Sequence, residues 1–97
     1  MAPTDRTLGP LHAAIAAELR QVSAQLEALA ETLVGDEHFV ETYMEALQSF
    51  DLLVQCSDEN ARVLDRLASG SAPDAAIAPV RLGVMQARLT AALAQAA

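Results

Sequence analysis

The sequence predicts an all-α protein, three antiparallel helices joined by short links, and three observations carry that prediction. Alanine supplies about a fifth of the 97 residues, and no residue has a higher helix propensity. Apolar residues recur in steps of three and four along three separate stretches, the pattern of a single stripe on a helix. No stretch alternates β-branched and polar residues at period two, so no strand is expected. A chain of this length forms one small domain with a modest core, which pairing with a second copy would extend.

Residues 1–9, punctuated by Pro3 and Gly9, read as a flexible leader. The single helical domain is expected over 10–97. Its first helix, about 10–34, opens on Pro10, which suits a first turn. It carries Leu11, Ile15, Leu19, Val22, Leu26, Leu29 and Leu33 as its stripe, and Gly35 is expected to end it as a left-handed cap. The second helix, about 36–69, starts under an Asp36 cap with Glu37 in the first turn. Its stripe is Val40, Tyr43, Leu47, Phe50, Val54, Ala61, Leu64 and Ala68, widened by Phe39, Ala46, Leu53 and Leu67. The short link at Gly35 implies an antiparallel hairpin. Ser69 to Pro73 is a turn, and a third helix, about 73–96, follows with Ile77, Leu82, Met85, Leu89 and Leu93 inward. Pro79 predicts a kink or a late start there. The breadth of the second helix's apolar face favours two hairpins pairing across a two-fold axis into a larger homodimeric bundle.

Charge and composition exclude several classes. With 13 acidic side chains against six arginines and no lysine, the net charge is −7, which argues against nucleic acid and anionic membranes as partners. No apolar run reaches the ~18 residues of a membrane span, and no signal peptide is evident. One cysteine, Cys56, excludes an internal disulfide and fits a reducing cytoplasm. No metal site and no cofactor of the chain's own is expected: His12, His38 and Cys56 lack partners at ligand spacing. Histidine phosphotransfer finds little support, because His12 is followed by alanines and no lysine is present. A structural cysteine beside the core, near the acidic Asp58 and Glu59, is the expected role of Cys56.

The remaining candidates lie on one side of the second helix. Gln48, Asp51 and Gln55 follow one another at steps of three and four and so align. Leu52 falls opposite the main stripe, a large apolar side chain expected in solvent beside an amide and a carboxylate, and Arg62 lies further along the same helix. Gln48, Leu52 and Arg62 are the candidate binding residues.

The run Asp51-Leu52-Leu53-Val54-Gln55 resembles the Asp-x-x-x-Gln motif of the CheZ-type chemotaxis phosphatases, and the stretch Glu45 to Gln55 is similar to the short CheZ-like proteins called CheT. The resemblance implies a helical protein of chemotaxis or two-component signalling that binds a CheY-type receiver. Gln55 would orient the water that attacks the receiver's aspartyl phosphate, and Asp51 would pair with the receiver's lysine, with magnesium supplied by the receiver. The alternative is a non-catalytic helical adaptor on the same scaffold, binding a chemotaxis or other signalling protein.

Overall fold

The computed structural model of the chain describes residues 8–96. Among them it contains five helices and no strand: α1 (Leu8–Val34), α2 (Glu37–Thr42), α3 (Met44–Ala68), α4 (Pro73–Ile77) and α5 (Gly83–Ala96). Of the expected leader, residues 1–7 lie outside the described residues, while Leu8 and Gly9 already belong to α1. Pro10 still falls in the first turn, where its missing N–H has no intrahelical acceptor to lose.

Two expected helices are each broken once. The second divides at Tyr43, whose φ of −124° and ψ of 35° leave the helical region. Its N–H bonds the Phe39 carbonyl (2.8 Å) and its carbonyl accepts from Leu47 (3.0 Å), so α2 closes and α3 opens on the same residue. The run Phe39 to Tyr43 is aromatic and β-branched, with weak helix propensity, and the Phe39 and Tyr43 rings pack at 4.8 Å across the break. Asp36 caps α2 through a 3.2 Å bond from the Phe39 N–H. The third expected helix divides at Pro79: α4 stops at Ile77 and α5 begins at Gly83, because proline removes a donor and clashes with the preceding turn.

Gly35 does not take the left-handed conformation expected of it. That role falls to Gly70, with φ of 97°. Ser71 N–H reaches the Arg66 carbonyl (2.9 Å) and Gly70 N–H the Leu67 carbonyl (3.1 Å), the paired bonds of a Schellman ending to α3.

α1 and α3 form the antiparallel hairpin. Gly9 packs against the Ala68 carbonyl, Arg20 pairs with Asp65, and the α1 stretch Glu27 to Val34 faces Phe50 to Gln55. The contact runs along a row of small residues at every seventh position, Gly9, Ala16, Ser23 and Ala30. Ala16 and its counterpart Ala61 have no exposed surface, and Ser23 is buried. The stripe expected on α1 is therefore divided. Leu19, Leu26 and Leu33 are half-buried, while Leu11, Ile15, Val22 and Leu29 stay exposed. On α3, Tyr43, Ala46 and Leu53 are likewise uncovered.

α4 and the start of α5 pack elsewhere on α3. Val63 joins Ala76, Val80 and Met85 in a buried cluster flanked by Leu67, Leu82 and Leu89, and Arg66 Nε donates to the Ala76 carbonyl at 2.7 Å. Val63 lies nine residues beyond Val54, half a turn round at about 100° per residue, so this cluster is on the side of α3 remote from α1. α3 thus carries α1 on one side and the Val63 cluster on the other, and the molecule measures 59 × 25 × 17 Å.

The small-residue seam predicts opposite outcomes for two substitutions. Ala16→Leu should lower stability by about 1–3 kcal/mol, because an overpacked contact must open. Ser23→Ala should leave stability unchanged or raise it, since the buried Ser23 hydroxyl has no partner and an apolar group there removes an uncompensated desolvation. Urea-denaturation midpoints compare the two.

Candidate functional site

Every residue of the hairpin seam has one neighbour on each side of it, and the two sides differ in chemistry. On α3, Val54 points toward α1, with Leu53 before it and Gln55 after it. At 100° per residue these two project to opposite faces of the hairpin. On α1, Ala30 is flanked in the same way by Leu29 and Glu31. Glu31 and Gln55 line one groove together, so Leu29 and Leu53 belong to the other face.

The groove holds about 460 Å³ and is lined by Glu27, Ala30, Glu31 and Val34 of α1 and by Phe50, Asp51, Val54 and Gln55 of α3. Asp51 and Gln55, one turn apart, are both exposed and both open onto it. The hairpin thus brings two further carboxylates, Glu27 and Glu31, beside the Asp51–Gln55 pair. An isolated reading of α3 misses them; the antiparallel register about the Gly35 link is the signal that would place them there. The floor is apolar, made by Phe50 and Val54, and the rim carries three acids and one amide. Such a rim favours a cationic group and offers Gln55 as donor and acceptor to a water or a neutral polar group.

Gln55 also lines a second recess, of about 310 Å³, with Asp58, Glu59, Arg62, Arg81 and Leu82. Arg62 Nη1 bonds Glu59 Oε1 at 3.0 Å. Glu59 is only 3% exposed, and its second oxygen has no partner. Arg62, a candidate binding residue, is thus also a structural counter-ion. Its burial partner went unread in the sequence because Glu59 follows a polar run and gives no periodic signal. Gln48 is exposed and lies outside both recesses. Leu52 is 54% exposed, as its position opposite the main stripe implies, and it borders a separate apolar recess between α3 and α5 with Cys56. The structure therefore brings Asp51 and Gln55 together on one groove, puts Arg62 beside Gln55 on the next, and sets Leu52 on a third.

No group of three His, Cys, Asp or Glu side chains among the described residues is arranged to hold a metal ion, and no helix among them is long and apolar enough to cross a membrane. Comparison of the chain with protein-family models, with curated proteins and with solved structures finds no match.

Arg62→Ala should destabilise the fold by about 1–3 kcal/mol, because it strips the partner from a buried carboxylate. Gln48→Ala, on an exposed and unpaired side chain, should stay within about 0.5 kcal/mol of the parent. Equal denaturation midpoints for the two variants would contradict the assigned ion pair.

Proposed function

We propose that the chain is a CheZ-like protein of bacterial chemotaxis or two-component signalling, working in the cytoplasm, that docks a CheY-type receiver and promotes hydrolysis of its aspartyl phosphate. The observation that carries this reading is the shared groove: Asp51 and Gln55 open together onto the same recess of the hairpin.

The chemistry asked of the chain is small. An acyl phosphate is already reactive, so fixing one water in line with the phosphorus supplies most of the help required. Gln55 accepts a hydrogen bond from that water and donates to a phosphoryl oxygen. As the water oxygen bonds to phosphorus, the bond from phosphorus to the aspartyl oxygen breaks; the receiver recovers its carboxylate and inorganic phosphate departs. Asp51 pairs with a lysine of the receiver, which orients the two proteins. Electrostatics sets a condition on the partner. A phosphoryl group brought near Glu27, Glu31 and Asp51 is repelled, by about 4 kcal/mol for a unit-charge pair at 4 Å in a surface-like dielectric. The receiver must bring the offsetting cations, its lysine and its own magnesium. An acidic groove on a chain of net charge −7 also steers such a cationic site toward it.

The phosphate lifetime of phosphorylated CheY-type receivers tests this reading. It should shorten in the presence of the chain, and Gln55→Ala should remove the effect while leaving binding nearly intact. An unchanged lifetime across the organism's receivers would refute catalysis.

The opposite face supports a homodimer and favours, as a second reading, an adaptor that works by binding alone. Leu8, Ile15, Val22 and Leu29 recur at every seventh position of α1, between 40% and 48% exposed, and Leu53 of α3 shares their face at 52%. Among the described residues no large side chain is fully buried, so the single chain leaves its apolar surface unspent. Two such faces packed together make a four-helix arrangement with the acidic grooves outward. Light scattering should give twice the 10.2 kDa chain mass, and the double change Ile15→Asp with Val22→Asp should return it to a single chain. A wild-type monomer at high concentration would count against the dimer.

A further inference from the structure

We infer that the recess between α3 and α5 is a second docking point, built for a partner segment that presents one bulky apolar side chain flanked by carboxylates. It stands apart from the catalytic reading, since none of its residues is Asp51 or Gln55. The recess encloses about 260 Å³ between Leu52 and Cys56 of α3 and Leu82, Val84, Met85 and Arg88 of the α5 region. Met85 at its base is buried, whereas Leu52 and Val84 at its edge are 54% and 72% exposed. Val84 is the most exposed large apolar side chain among the described residues. The volume suits a single leucine- or phenylalanine-sized group, and the rim presents an apolar contact at its entrance. A central apolar pocket with a charged edge is how compact protein interfaces concentrate affinity.

Charge specifies the rest of the occupant. Among the described residues Arg20 pairs with Asp65, Arg62 with Glu59, and Arg66 is held by the Ala76 carbonyl. Arg81 and Arg88 make no ion pair or side-chain hydrogen bond among them; Arg88 lines this recess, whereas Arg81 opens with Asp58 and Glu59 onto the neighbouring one. Among the described residues Arg88 is thus a guanidinium without an ionic partner at the rim, a local cationic point on the surface of a chain with 13 acidic residues, complementary to acidic groups.

The test is an NMR titration of the full chain with a short synthetic peptide carrying one phenylalanine between glutamates. Methyl resonances of Leu52, Val84 and Met85 should shift together, and added salt should weaken the complex. Val84→Asp, at a solvent-exposed position that leaves the fold intact, should weaken it by about tenfold or more. Replacing the peptide's phenylalanine by alanine should do the same, and Arg88→Glu should abolish the salt dependence. Gln55→Ala should leave peptide binding unchanged, which separates failure of this site from failure of the catalytic groove. The inference is overturned if the peptide does not bind, if Val84→Asp binds it as well as the parent, or if a lysine-flanked peptide binds equally tightly.

Discussion

Close contact between α1 and α3 through residues that lack bulk is the constraint on which the rest of the molecule depends. Gly9, Ala16, Ser23 and Ala30 on one helix, and Ala61 on the other, place small side chains along the line where the two long helices meet. Dispersion among these small side chains and the half-buried Leu47, Phe50 and Leu64 of α3 holds the two helices together. Of the larger apolar residues beside this row, Leu19, Leu26 and Leu33 are half-buried, while those on the outer flank stay exposed. A seventh-residue repeat of small side chains on α1 is accompanied by a seventh-residue repeat of exposed large ones, Leu8, Ile15, Val22 and Leu29.

That geometry gives the hairpin two unlike faces. One carries Glu27, Glu31, Asp51 and Gln55 around an open groove; the other carries the exposed leucines, isoleucine and valine. Packing of α4 and the start of α5 on the remote side of α3 leaves both faces open, since among the described residues no third helix packs extensively on both α1 and α3 along the hairpin. The two faces differ in what suits them: charged side chains around a groove are best solvated when it is open to water, whereas an apolar face reaches its lowest free energy only when covered. The break at Tyr43 shortens a helix at the end of the hairpin, and the break at Pro79 falls between α4 and α5, outside the hairpin, so neither disturbs the seam.

Much of the fold was legible from spacing alone. The helical class, the turn at Ser69 to Pro73, the Asp36 cap and the interruption at Pro79 each rest on local chemistry that the sequence displays. The unbroken second helix was expected because apolar periodicity continues through Tyr43, and periodicity reports which face is apolar rather than whether the backbone stays helical. The left-handed glycine was sought at Gly35, but Gly70 has the flanking turn whose amides reach back into α3. The division of the α1 stripe was hidden for a different reason. A stripe of leucines reads as a core, and only the partner helix decides which edge of it is covered. In the site, Asp51, Gln55 and Leu52 were readable on one helix. Glu27 and Glu31 come from α1, and the Glu59–Arg62 pair depends on burial, so neither follows from the motif.

The two-faced hairpin is tested most directly by NMR with a soluble paramagnetic agent at high chain concentration. The account predicts that the methyl groups of Leu29 and Leu53 are shielded from the agent while the Gln55 side-chain amide, on the opposite face, is strongly relaxed. Leu29 and Leu53 methyls relaxed as fully as those of Val84, or a Gln55 amide shielded in their place, would contradict it.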